Sequence, residues 1–131
     1  MAVPDAQHRA FTSARTAAIL TNSYVGSSEV AVKGRRWLVV HMEFTKGSLT
    51  DCQIKLQYSD DRGTSWNDSL VRGAYTTGVY TPELDIALLD ATITGGLLWD
   101  VSGYDVVRLA AVGTGTLTSS SLALSTLTSG T

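Results

Sequence analysis

Residues 37–66 read WLVVHMEFTKGSLTDCQIKLQYSDDRGTSW, and the alternation of side chains within them decides the fold class. In the first run Leu38, Val40, Met42 and Phe44 fall on one side, while Trp37, Val39, His41 and Glu43 fall on the other. In the second, Cys52, Ile54, Leu56 and Tyr58 share a side, and Gln53, Lys55 and Gln57 point away. Successive Cβ atoms of a strand project to opposite faces, so a sustained period of two marks a half-buried strand. Thr45-Lys46-Gly47-Ser48 supply Gly and polar turn formers between the runs. The expectation is a pair of adjacent antiparallel strands.

Ser59-Asp60-Asp61-Arg62-Gly63-Thr64-Ser65-Trp66 fits Ser-x-Asp-x-Gly-x-(Ser/Thr)-Trp. It resembles the Asp-box of sialidase-type propellers and of many unrelated β-proteins. The structural residues of this hairpin are Ser59, Asp61, Gly63, Ser65 and Trp66. Asp61 is placed to accept backbone N–H groups across the turn, Gly63 to take the positive φ of the reversal, and Trp66 to fold its ring beneath it. The motif occurs once and the chain has no repeat, so a propeller is excluded.

With 131 residues the chain is one domain, long enough to bury a real core. Its formal charge is −2, with Lys and Arg spread along its length, so neither a nucleic-acid stripe nor a polybasic membrane patch is present. No apolar run approaches the ~20 residues of a membrane span. The first residues, MAVPDAQHRAFTSART, lack the apolar segment of a secretory signal. The single cysteine, Cys52, excludes an intrachain disulfide and suits folding in a reducing cytosol. Its place in the alternation makes it a small buried hydrophobe and not a nucleophile. Abundant Ser, Thr and Gly, with no long window of 3.6 periodicity, indicate an all-β domain.

Residues 1–13 read as an extended N-terminal arm and 14–131 as a single β-sandwich. Residues 14–21 suit a first strand or a short helical turn, and 29–32 a short strand. Residues 67–72 form the returning arm of the hairpin. Residues 73–82, GAYTTGVYTP, read as an aromatic loop or irregular edge strand. Another strand follows over 83–89, and Gly95-Gly96 turn the chain. Val107, Leu109 and Ala111 face inward, Gly113-Thr114-Gly115-Thr116 make a hairpin turn, and 117–128 form the last strand. Turn signals every 8–12 residues or so fit seven to nine strands in an antiparallel two-sheet sandwich, jelly-roll-like.

Candidate chemistry is sparse. Asp60, Asp61 and Asp68 cluster near the hairpin but lack the Asp/Asn ladder of a calcium loop. A glycosidase needs two carboxyls across a cleft, and the sequence places none opposite Asp61. His8 and His41 have no ligand partners at zinc spacing, and no Gly-x-Ser-x-Gly elbow occurs. Gly113-x-Gly115 lies between strands and opens no helix, so it is no phosphate cradle. No catalytic residue, metal site or cofactor is assigned. The aromatics Trp37, Tyr75, Tyr80 and Trp99 point to a protein interface in preference to cover by a second layer of the same fold, and to either before sugar stacking.

Taken in order, RRWLVVHMEFTKGSLTDCQIKLQYSDDRGTSW and YDVVRLAAVGTGTLTSSSLAL resemble small β-sandwich virion proteins of tailed bacteriophages. The likeness covers roughly residues 35–68 and 104–124. It rests on a Trp-led strand, the Asp-box-like hairpin, Val107-Arg108-Leu109, and Gly-Thr-Gly-Thr before a Ser-rich strand. It implies a non-enzymatic head decoration (cement) protein, often trimeric, or another head, neck or tail part. The implied partners are the major capsid protein or other virion proteins, and the implied location is the virion, assembled in the bacterial host cytoplasm. Contacts are expected from Pro4, His8, Arg9 and Phe11 of the arm and from Trp37, Tyr75 and Tyr80. A carbohydrate-binding β-sandwich module is the alternative.

Overall fold

The computed structural model describes residues 10–76, 79–84 and 86–130, with residues 70–84 described by their backbone alone. The strands are β1 (Thr12–Ala18), β2 (Val25–Gly26), β3 (Val30–Ala31), β4 (Trp37–Thr45), β5 (Leu49–Ser59) and β6 (Asn67–Asp68). They continue with β7 (Leu70–Thr76), β8 (Val79–Leu84), β9 (Ile86–Leu89), β10 (Ile93–Asp100), β11 (Val106–Gly115) and β12 (Ser121–Ser129). The described residues contain no helix, so none is long and apolar enough to cross a membrane.

Sheet one has the order β1-β12-β4-β10, and sheet two the order β2-β11-β5-β6, with β3 also on β11 and β9 also on β5. All of these pairings are antiparallel. If β2 with β3, and β6 with β9, count as single positions, eight remain. Sheet one then runs first, eighth, third, sixth, and sheet two second, seventh, fourth, fifth. That is the double Greek-key order of a jelly roll. The all-β, two-sheet reading holds, and of residues 14–21 those up to Ala18 resolve as strand, within β1.

The core lies between the inner faces. Leu38, Val40, Met42 and Phe44 of β4 meet Cys52, Ile54 and Leu56 of β5, Val107, Leu109 and Ala111 of β11, and Leu122 and Leu124 of β12, all buried. Each large aliphatic side chain sealed there contributes about 1.5–3 kcal/mol. Tyr58 packs against the rim of this core.

The expected pairing of the two central runs is not what forms. β4 sits in sheet one between β12 and β10, and β5 in sheet two against β11. Thr45–Ser48 therefore carry the chain across the sandwich. The alternation is the same in either case, because both strands bury one face in a shared core, from opposite sides about 10 Å apart. Period records which face is covered and says nothing of the neighbour.

A second crossing, residues 116–120, joins β11 to β12, and the two crossings pack together. The Ser48 N–H donates to Ser119 Oγ at 3.0 Å. Gly47 has φ 57°, and a Cβ there would lie 2.5 Å from the Ser119 carbonyl oxygen. The expected turn at Gly113–Thr116 is thus displaced: Gly113 to Gly115 belong to β11, paired with Cys52 to Leu49. Gly95 and Gly96 make no turn either. They stand inside β10, opposite Met42 and His41. A residue without a side chain weakens a strand interior but does not forbid one.

Residues 73–82, expected as a loop or irregular edge, instead contribute to a two-stranded hairpin in which β7 and β8 pair only with each other. Its position is informative. Asp68 pairs with Gln57, the Ser69 N–H donates to the Leu56 carbonyl, and Ile86 pairs with Lys55. The ladder on β5 runs on from Ser69 to Ile86 as if they were consecutive. The β7–β8 hairpin thus falls between two consecutive rungs of one strand position of the jelly roll.

Candidate interaction surfaces

The turn after β5 is held by two side chains. Ser59 Oγ accepts the N–H groups of Asp61 at 3.3 Å and Gly63 at 2.8 Å, and its hydroxyl donates to Asp61 Oδ1 at 2.7 Å. Asp61 Oδ1 also accepts the Ser65 N–H at 2.8 Å, and Oδ2 accepts the Ser65 hydroxyl. Gly63 has φ 88°, with the Glu29 carboxylate against its α-carbon. The Ser65 hydroxyl, the Ser65 N–H and the Ser59 hydroxyl together hold the Asp61 carboxyl at about 2. This carboxylate is committed to its own turn.

Trp66 lies with its ring beneath the guanidinium of Arg108, which is 4.5 Å from the ring centre. From there a polar chain crosses the outer face of sheet two. Arg108 Nε donates to Gln57 Oε1 at 2.8 Å, Gln57 Nε2 to Asp68 Oδ1 at 2.9 Å, and Lys55 Nζ lies 3.0 Å from the same oxygen. Lys55 Nζ also stands 4.0 Å from the Tyr24 ring centre, and the Tyr24 hydroxyl donates to Gln53 at 3.0 Å. The hydrogen bond from Gln57, followed by the bond from Lys55, lowers the Asp68 carboxyl from its usual range. Asp61 and Asp68 thus serve separate structural roles. Among the described residues no group of three or more His, Cys, Asp or Glu is placed to hold a metal ion.

The residues expected to make contacts are dispersed. Pro4, His8 and Arg9 lie outside the described residues. Phe11 is exposed, its ring 6.0 Å from that of His41 on the outer face of sheet one. Trp37 is half-buried on that same face, with the Arg36 guanidinium 4.8 Å from its ring. Tyr75 and Tyr80 occupy opposed positions of the β7–β8 ladder. Trp99 is only 5% exposed and belongs to the core, so it is removed from the exposed aromatics.

Two exposed apolar strands, one at the edge of each sheet, are missed by sequence reasoning. Half of the exposed large hydrophobic residues among those described, Ile86 and Leu88 on β9 and Ile93 and Leu98 on β10, sit on two strands joined by a short link. Leu98 is 60% exposed and Leu88 58%. Reading Gly95-Gly96 as a turn hid β10. The signal available was the apolar Leu97-Leu98-Trp99, a composition that suits a buried strand better than a surface loop.

Two depressions bear on chemistry. One of about 300 Å³, lined by β1, β3 and β12, contains a single carboxylate, Glu29, among small and hydroxyl residues. The other, about 260 Å³, has Asp60 and Asp105 beside Tyr58 and Tyr104. Those rings stack on each other, 4.6 Å between centres and 5° from parallel, and both aspartates are exposed.

No family model matches the chain, and no curated protein matches it. Among solved structures the chain is similar to the crystal structure of SPBc2 prophage-derived protein YomS. That likeness covers 88% of this chain and 95% of that one, at 18% sequence identity and a TM-score of 0.45.

Proposed function

We propose that this chain is a non-enzymatic structural component of a tailed-bacteriophage particle, and specifically a head decoration protein that binds the major capsid protein. The observation that carries this reading is the β7–β8 hairpin. The ladders of both sheets run without it, and β7 and β8 pair only with each other. A hairpin outside the two sheets, with tyrosines at opposed positions, suits the centre of a protein contact, where aromatic anchors supply most of the binding energy. The mechanism is adhesion by area: a subunit that spans two capsid neighbours, burying about 1,000 Å² or more, raises the cost of separating them.

Co-sedimentation with empty capsids tests this. The full chain is expected to pellet with capsids, and Tyr75→Ala with Tyr80→Ala to weaken binding by about tenfold or more, a loss of ~1.4 kcal/mol. A chain that leaves capsids unbound overturns the decoration role, and turnover of any substrate overturns the structural one. The Tyr58–Tyr104 depression favours a second reading, a carbohydrate-binding module. A glycan-array signal abolished by Tyr104→Ala would decide for it.

A further inference from the structure

We propose that the free edge of β10 is a self-recognition site, at which a second copy adds its own β10 antiparallel across a two-fold axis. An unpaired strand edge presents a row of N–H and C=O groups, and proteins normally guard it with charge, proline, bulges or shortness. The other edges of the sandwich are guarded. β1 has two register irregularities, and Arg15 Nε donates to the Leu122 carbonyl at 3.0 Å. β2 and β3 span two residues each, and the β6–β9 edge is broken by the hairpin. β10 has no bulge and no proline, is not short, and carries one charge, Asp100, at its last position. Its eight residues, ITGGLLWD, pair with β4 without a shift, contain no Lys, Arg or Pro, and take no second neighbour among the described residues.

The sequence of β10 is complementary to itself. Ile93, Gly95, Leu97 and Trp99 lie opposite the core-facing residues of β4, and Thr94, Gly96, Leu98 and Asp100 share the outer face. A two-fold axis perpendicular to the sheet must pass through a residue for like faces to meet. With the axis at Leu97, Gly96 stands opposite Leu98 of the second copy, Gly95 opposite Trp99, and Thr94 opposite Asp100. Each glycine receives a large side chain, and no like charges meet. The same axis sets Leu97 against itself on the core-facing side; an axis at Gly96 sets Gly96 against itself, and one at Leu98 shortens the ladder. The 60% exposure of Leu98 is then the space left for its counterpart.

Size-exclusion with light scattering on the full chain tests the pairing. A dimer is expected, with Leu98→Lys and, independently, Thr94→Lys raising its dissociation constant by about tenfold or more. Far-UV circular dichroism and the emission of buried Trp99 check that the variants are folded. The register is read by cross-linking, since a Cβ at Gly96 meets nothing closer than the Val40 carbonyl at 3.5 Å. On oxidation, an equal mixture of Gly96→Cys and Leu98→Cys chains gives a disulfide-linked dimer that neither variant gives alone. A monomeric parent, a trimer indifferent to both lysine variants, or equal cross-linking of either cysteine variant by itself overturns the proposal. A chain that pairs yet ignores capsids overturns only the virion role.

Discussion

Asp61 carries its charge in the open, and hydrogen bonds from Ser59 and Ser65 fix it there. Its carboxyl titrates at about 2 in the folded chain, below the ~3.9 of an unfolded aspartate. A depressed pKa stabilises the fold fully above the unfolded value, and that contribution is lost as pH falls through the folded one. Asp61→Asn should therefore lose less stability than the parent between about pH 4 and pH 2, measured by denaturant unfolding at each pH. Cys52 shows the opposite case: burial, foremost, pushes its thiol up to about 11. At pH 8 the native chain should leave a thiol reagent unconsumed until denaturant is added. Cys52→Ser should cost about 1–3 kcal/mol, because it buries a hydroxyl where the sulfur needs no partner. Both residues were legible beforehand, since a turn motif and a period of two are local properties of the chain.

At the scale of elements, legibility fell where local signals competed with distant ones. Gly95 and Gly96 carry the mark of a turn, but β4 supplies a complete ladder opposite them, and pairing outweighs propensity. Gly113 and Gly115 are strand residues for the same reason, held by β5. Residues 73–82 read as a loop or irregular edge strand because Gly73, Gly78 and Pro82 are turn formers, whereas β7 and β8 pair with each other outside both sheets. The hairpin's independence makes a prediction. Deleting residues 70–85, so that Ser69 joins Ile86, should leave a folded jelly roll with a melting point within about 4 °C of the parent, the shift that ~1 kcal/mol makes at this size. Circular dichroism and calorimetry would check it, and collapse of the fold would show that the hairpin supports the body. In the surviving body, loss of capsid binding would assign the contact to the excised residues.

For the whole molecule, fold class was readable and strand order was not. Neighbours in the sheets come from opposite ends of the chain, β1 against β12 and β5 against β11, and nothing in residues 12–18 names residues 121–129 as their partner. That separation sets the kinetics, since the loops must close before the ladders form. Refolding followed by Trp99 emission should take milliseconds to seconds, as in other sandwiches dominated by distant pairings. Completion within microseconds would mean that the central strands find each other by a local route.

The bulges of β1 and the guanidinium of Arg15 now acquire a meaning beyond their own strand. Because one flank of sheet one is stoppered and the other is bare, the sheet can be lengthened once and then has no open rung left to offer. Growth halts at two, so a surface that in another protein would seed a fibril here counts copies and stops.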